Sequence, residues 1–168
     1  NAFQVIGHRI GWSFLILIIF IIATGQFKAF RQAALSWRVF WVYFAAAILI
    51  ATNWLVYVWA VNANFIVEAS LGYFIFPLLS ILLGVVFLNE HLRPIQWSAV
   101  AMATLGVIYL SVTYGRLPWI ALTLAFTFGI YGLVKKLAPL GSLYGLTVET
   151  GILFIPAVET VEKGANLP

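Results

Sequence analysis

The sequence predicts an all-α membrane protein, a polytopic bundle of about six transmembrane helices. Of its 168 residues, 64% are hydrophobic and 8% are charged, whereas an average soluble domain is about a quarter charged and under half apolar. The apolar runs are continuous and have roughly the twenty residues that a helix needs to cross the hydrocarbon core. They lack the period-two alternation of membrane β-strands, so helices are favoured over a barrel.

The predicted spans follow one another along the chain, at residues 3–25, 39–61, 69–88, 95–114, 118–134 and 142–158. The connections between them are FKAFRQAALSWR, NANFIVE, NEHLRP, GRLP and KKLAPLG. Each connection is polar or broken by Pro or Gly, as turns at a membrane edge are. Because the connections are short, neighbouring helices should be antiparallel.

Tryptophan and small residues support these boundaries and the packing of the spans. Trp37 and Trp41 mark the start of the second span, Trp97 that of the fourth and Trp119 that of the fifth. These positions suit indole rings, which prefer the headgroup level. Ser80 and Gly84, four residues apart, favour a tight helix pair of the small-xxx-small kind.

Orientation is predicted from Lys and Arg, which are enriched in cytoplasmic loops. Six of the nine cations fall on one side of the predicted bundle, namely Lys28, Arg31, Arg38, Arg93, Lys135 and Lys136. Arg9, Arg116 and Lys163 are left outside or near the outer edge. The first span then runs inward, and the chain begins with Asn1 rather than Met, so at least one helix is expected upstream. A signal peptide is disfavoured because this apolar run is too long.

Several classes of chemistry are not expected from the composition. The chain has no cysteine and no aspartate, so disulfides, thiolate metal sites and paired-Asp metal sites are excluded. Its two histidines, His8 and His91, lie far apart, and no base stands beside a nucleophile in a catalytic pattern. We therefore expect no enzyme, cofactor or metal. The net charge of +4 is spread over the chain without a basic cluster, so no nucleic-acid partner is expected.

Longer motifs carry a resemblance to a known family. They are NWLVYVWAVNANFIVEASLGYFIFPLLSILLGVVFLNE at residues 53–90, HRIGWSF at 8–14, FGIYGLVKK at 128–136 and VET at 148–150. In this order and spacing they closely resemble the RarD family of the EamA-type drug/metabolite transporter superfamily. The resemblance covers nearly the whole chain up to about residue 158.

The resemblance implies a multi-pass protein of the bacterial inner membrane with ten helices in two five-helix halves of opposite orientation. Residues 1–117 would be the remainder of the first half, with its first helix missing, and 118–158 the first two helices of the second half. Residues 159–168 would be a polar tail. The implied function is transport of a small metabolite or drug, and family members are associated with resistance or sensitivity to chloramphenicol. A non-transporting assembly or regulatory protein is the alternative, and a membrane-embedded lipid-modifying enzyme is less favoured.

Glu149 is the most informative single residue, because it lies inside the apolar stretch GLTVETGILFIP. A charge facing lipid costs about 2.5–3.5 kcal/mol on insertion scales, so its carboxylate should face the bundle interior. Inverted repeats should also leave internal sequence echoes. HRIGWSF and VETGILF align with Arg9 against Glu149, Gly11 against Gly151 and Phe14 against Phe154. Glu149 and Arg9 are expected on opposite sides of the midplane, where both could border one central cavity.

The candidate substrate-binding or coupling residues are Glu149, Arg9, Glu68, Asn53 and Tyr73. Glu149 could take and release a proton as access alternates, and Arg9 could keep Glu149 charged or bind an anionic substrate group. Each also has a structural interpretation: hydrogen-bonded packing for Glu149, snorkelling for Arg9, helix capping for Glu68 and an interhelical hydrogen bond for Asn53. The expected partners are the lipid bilayer and a small-molecule substrate, with protons and a second copy in a homodimer as further candidates.

Overall fold

The structure, a computed structural model, describes residues 2–113, 115 and 118–165. Its helices are α1 (Ala2–Ala23), α2 (Phe27–Ala34), α3 (Trp37–Asn62), α4 (Ile66–Leu88), α5 (Pro94–Thr113), α6 (Trp119–Leu137) and α7 (Ser142–Ala165). The described residues contain no strand. The predicted all-α transmembrane bundle is thus confirmed. Arg116, which the orientation prediction used, lies outside the described residues.

Five of these helices are long and apolar enough to cross a membrane. They comprise Gln4–Ala23 within α1 together with the whole of α3, α4, α5 and α6. The sixth predicted span, at 142–158, does form a helix, but α7 is not among the five. Its apolar residues are diluted by threonines and by three carboxylates, Glu149, Glu159 and Glu162. A carboxylate that is buried in the apolar part of such a helix, as Glu149 is, calls for a partner inside the protein.

Helix α2 was not predicted, because the polar segment FKAFRQAALSWR has the composition of a connection between two spans. The structure instead folds Phe27–Ala34 into a short amphipathic helix with no buried residue. At 100° per residue, Phe27, Phe30, Ala33 and Ala34 share one side, and Lys28, Arg31 and Gln32 share the other. The connection is therefore an amphipathic helix between two helices that are apolar enough to span a membrane.

Left-handed residues follow several of the long helices, α1 and α3 among them. Gly25 has φ +69°, and the N–H groups of Gly25 and Gln26 bond to the carbonyls of Ile22 and Ile21. This is a Schellman motif, in which glycine avoids the steric penalty of positive φ. Asn64, with φ 63°, ends α3 in the same way. Both sharp stops fall at membrane-edge connections.

The chain divides into two compact units. One combines the segment up to Ala51 with the segment from Val134 onward, and the other is Thr52–Leu133. In the first unit α1 packs along α7. The Phe14 and Phe154 rings lie 5.1 Å apart, while Gly11, earlier in α1, lines a cavity with Ala157, later in α7. Contacts thus advance along one helix as they recede along the other, so α1 and α7 are antiparallel.

The second unit is built on α3, α4 and α6. Its buried cluster is Ala60, Ala69, Ile120 and Leu124. Gly72 of α4 permits a close approach to α6, because a Cβ there would lie 3.1 Å from Cβ of Leu124 and 3.2 Å from the carbonyl oxygen of Ala121. Gly84, which was predicted to form a tight helix pair together with Ser80, has a different neighbour. A Cβ on Gly84 would lie 2.6 Å from Oε2 of Glu90, so this glycine makes room for the chain that follows α4.

Candidate functional site

Glu149 lies on α7 with its side chain only 2% exposed, and its Oε1 accepts a hydrogen bond from Nζ of Lys135 at 2.9 Å. Lys135 belongs to the last turn of α6 and its side chain is 22% exposed. Burying a carboxylate to this degree removes its charge from water at a cost in free energy, and a charge-assisted hydrogen bond offsets that cost. The expectation that Glu149 faces the protein interior agrees with this geometry.

The turn between α6 and α7 brings the two charges together. Four residues, including Pro139 and Gly141, separate Leu137 from Ser142. At 1.5 Å per residue, Glu149 lies about 10 Å along α7 from Ser142, whereas Lys135 lies about 3 Å from the end of α6. Lys135 and Glu149 belong to the same compact unit. The long lysine stem spans the difference in depth and brings Nζ to the carboxylate.

Tyr43 of α3 covers this ion pair. The ring is fully buried, and Nζ of Lys135 lies 5.3 Å from its centroid, within the range of a cation–π contact. The hydroxyl donates to the carbonyl of Leu140 and accepts from the N–H of Leu140, both at 3.1 Å. Tyr43 thus fixes the α6–α7 turn and holds the lysine ammonium with the same side chain.

Gly145 makes the close packing of this group possible. It lies one turn before Glu149, on the same side of α7. A Cβ at Gly145 would lie 2.6 Å from Cε1 and 2.9 Å from the hydroxyl of Tyr43, and 3.0 Å from Nζ of Lys135. No larger residue fits without displacing one of them. We name Tyr43, Lys135, Gly145 and Glu149 the charge site.

Neighbouring polar groups on α7 are satisfied within their own helix. The hydroxyl of Thr147 donates to the carbonyl of Leu143 at 2.8 Å, and that of Thr150 donates to the carbonyl of Leu146 at 2.8 Å. Both threonines are buried. Among the described residues, no group of three or more His, Cys, Asp or Glu side chains is arranged to hold a metal. The contact that the charge site does contain is the charge pair between Lys135 and Glu149.

Arg9 lies on α1 and is exposed. The packing of α1 on α7 bears on the sequence echo that includes it, because Phe14 and Phe154 contact each other and a Cβ on Gly151 would lie 3.1 Å from Cε2 of Phe14. A cavity of about 210 Å³ lies nearby between the two helices, lined by Gly7, His8, Gly11, Trp12, Leu15, Ala157 and Val158. Arg9 and Glu149 are not among its lining residues.

The other three predicted site residues belong to the second unit. Glu68 is buried in the first turn of α4, where the helix dipole favours a negative charge. The Asn53 amide donates to the carbonyl of Leu124 and to Oγ1 of Thr127, both at 2.9 Å, which is the interhelical bonding offered as its structural interpretation. Tyr73 is 63% exposed and meets Tyr57 edge-on at 5.8 Å.

Sequence reasoning missed Lys135, Tyr43 and Gly145 as site residues. Lys135 was used only to predict orientation, since a lysine pair at a helix end is an ordinary topology signal. One sequence signal does exist: a lysine in the last turn of a span, then a short turn, then a carboxylate two turns into the next helix. Tyr43 and Gly145 carry no such signal, because their roles depend on which helices meet.

Comparison with known proteins places the chain in a family. Residues 1–112 match the sequence pattern of the EamA-like transporter family. An uncharacterized transporter of Pseudomonas aeruginosa is 47% identical over 155 residues, covering 90% of this chain and 51% of that protein. Protein RarD of Streptomyces exfoliatus is 43% identical over 158 residues, or 94% of this chain and 50% of its own length.

A more distant relative from Pseudomonas aeruginosa, named chloramphenicol-sensitive protein RarD, is 31% identical over 154 residues, covering 89% of this chain and 51% of its own. The chain thus spans about half the length of the curated relatives it matches. No solved structure matches it. With five helices able to cross a membrane and a family match over well over half of its residues, this chain belongs to the EamA-like transporter family and is a multi-pass membrane protein.

Proposed function

We propose that this protein moves a small metabolite or drug across the bacterial inner membrane, and that Glu149 couples that movement to protons. The observation that carries the proposal is the buried 2.9 Å ion pair between Glu149 and Lys135. Ionisable groups inside membrane helices mark proton relays and substrate paths, because their burial is too costly to be kept without a use. Family membership and the names of the relatives supply the transport class.

In the proposed mechanism, protonation of Glu149 removes its charge and ends the attraction that holds Lys135. The lysine stem is long and its side chain is already 22% exposed, so the ammonium can swing toward water at the end of α6. The contact between α6 and α7 that the charges maintain then loosens. Loss of the proton re-forms the pair. Two states of one contact, biased by a proton, are what an alternating-access transporter requires.

We further propose that the chain passes from one half of the protein to the other between residues 117 and 118, as the resemblance implies. Residue 117 lies outside the described residues. The supporting contact is that of Phe14 with Phe154, which are equivalent positions in the sequence echo. Around a two-fold axis, a residue near the axis meets its own equivalent. The antiparallel packing of α1 on α7 therefore supports an inverted repeat in which these two helices correspond.

The test uses full-length protein in proteoliposomes with an imposed pH gradient and radiolabelled chloramphenicol as the first probe compound, chosen because a relative is named for sensitivity to it. We expect gradient-driven movement by the wild type and its loss in Glu149→Gln, with the melting temperature verifying that this variant is still folded at the temperature of the assay. Glu159→Gln, an exposed acid on the same helix, is the matched control and should retain movement. Gradient-driven movement by Glu149→Gln would contradict the coupling role.

A further inference from the structure

Helix α2 and the residues that follow it carry a basic, aromatic surface that has no part in the proposed proton coupling. It consists of Lys28 and Arg31 on α2, Arg38 in the first turn of α3, and the rings of Trp37 and Trp41. All five are exposed. The first 67 residues of the chain contain no carboxylate side chain, so no acid from this segment neutralises the cations. We call this group the basic surface.

The position of the basic surface relative to the membrane follows from its neighbours. Helix α2 lies between α1 and α3, both of which are long and apolar enough to cross the bilayer. A short segment that joins two spans must lie at the boundary between hydrocarbon and water. Trp37 and Trp41, 73% and 49% exposed, stand at the start of α3, where amphipathic rings prefer the headgroup level. The three cations are thus held at the depth of lipid phosphates.

The orientation of α2 is fixed by contacts with α7. The Phe30 ring meets Tyr144 edge-on at 5.5 Å, and the Tyr144 hydroxyl donates to Oε1 of Gln26 at 2.9 Å. Lys28 lies about 200° and Arg31 about 100° around the helix from Phe30. With Phe30 held against the protein, both cations point away from it. Helix α2 therefore presents a preset cationic side to the headgroup layer.

We propose that the basic surface binds anionic phospholipid headgroups, and that α2 is an interfacial helix docked on them. Charge complementarity selects the partner, because three cations at the headgroup level, on a segment without acids, match phosphodiesters of anionic lipids rather than zwitterionic ones. The apolar side of α2, with Phe27 and Phe30, suits the acyl boundary and the protein surface, as interfacial amphipathic helices do. Each Lys or Arg near an anionic membrane strengthens binding by about fivefold.

The experiment measures the affinity of full-length protein, in nanodiscs of phosphatidylcholine, for a fluorescent phosphatidylglycerol. We expect Arg31→Gln to weaken binding about fivefold and Lys28→Gln with Arg31→Gln about 30-fold. Arg93→Gln is the matched control, since Arg93 is an exposed arginine at the start of another helix but shares its connection NEHLRP with an acid, Glu90. It should therefore change affinity less than about twofold. Melting temperatures verify that each variant is folded.

Three outcomes would overturn the proposal. Equal losses of lipid affinity in Arg31→Gln and Arg93→Gln would show that binding depends on the net charge of the protein rather than on this surface. Undiminished affinity in the double variant would remove the basic surface from lipid binding. Full displacement of the lipid by soluble glycerol 3-phosphate would identify a site for a free anion instead. Weakening of binding with rising salt is expected, because exposed charges are screened.

Discussion

Replacing Lys135 by methionine should destabilise the protein more than replacing Glu149 by glutamine, although both changes break the same ion pair. Lys135→Met leaves a carboxylate whose side chain is 2% exposed without its countercharge. Glu149→Gln leaves an ammonium on a flexible stem whose side chain is 22% exposed, which can turn toward water. The two single variants are therefore not equivalent, and the difference follows from burial.

The magnitudes follow from the geometry of the pair. A 2.9 Å contact between Nζ and Oε1 places the charge centres about 4 Å apart, where unit charges attract by about 4 kcal/mol at an effective dielectric constant of about 20. Leaving one buried partner alone costs about 3–5 kcal/mol, and we expect about 3 kcal/mol for Lys135→Met. Glu149→Gln should cost about 1 kcal/mol, because the ammonium that remains can reach water. The double variant should lose no more than about 2 kcal/mol, since no charge is stranded.

The assay is a double-mutant cycle on the full-length protein, measured by reversible unfolding in mixed micelles at neutral pH. The expected coupling free energy between Lys135 and Glu149 is about 2 kcal/mol. Lys136→Met is a matched control because Lys136 is the adjacent, exposed lysine, and it should show coupling to Glu149→Gln below about 0.5 kcal/mol. Additive single effects at Lys135 and Glu149 would refute the argument that they act as a buried pair.

Four further substitutions test the packing around the charge site and in the second unit. Gly145→Ala should destabilise the protein by about 1–3 kcal/mol through overpacking. Gly132→Ala on α6, where an added Cβ meets nothing within 4 Å, should instead stabilise it by about 0.5–1 kcal/mol. Melting temperatures that shift in opposite directions would confirm this, and equal shifts would contradict it. Tyr43→Phe removes both bonds to Leu140 and should cost about 1 kcal/mol, with proteolysis at the α6–α7 turn increasing; an unchanged cleavage rate would argue against a fixed turn. Asn53→Ala breaks two interhelical bonds and should cost about 1 kcal/mol, and no change in melting temperature would show that these bonds add no stability.

The spans could be predicted because long apolar runs reflect the solvent that surrounds each helix. The predicted 39–61 and 69–88 correspond to Trp37–Asn62 and Ile66–Leu88, and the differences fall at helix ends. Helix α2 could not be recognised in the same way, because a charged eight-residue segment carries no spanning signal. Its amphipathic period was present in the sequence, and the helix is consistent with it.

The charge site shows where sequence reasoning ends. Glu149 could be singled out because a carboxylate in an apolar run is costly wherever the helix packs. Its pairing with Lys135 depends on a lysine stem that reaches across the α6–α7 turn, and its cover by Tyr43 depends on the position of the first half of α3. Those facts belong to tertiary packing. The same holds for Gly72, whose contact with α6 no local spacing distinguishes from the predicted Ser80 and Gly84 pair.

The central claim of the proposed coupling is that Glu149 is the buried carboxyl group that binds and releases the coupled proton. Infrared difference spectroscopy of the carboxyl groups, recorded on full-length protein in nanodiscs as the pH is lowered, measures this directly. We predict a protonated-carboxyl band that exchanges slowly with deuterium, is absent from Glu149→Gln and persists in Glu68→Gln, which removes the other buried acid of the described residues. Persistence of that band in Glu149→Gln, or its loss in Glu68→Gln instead, would contradict the account.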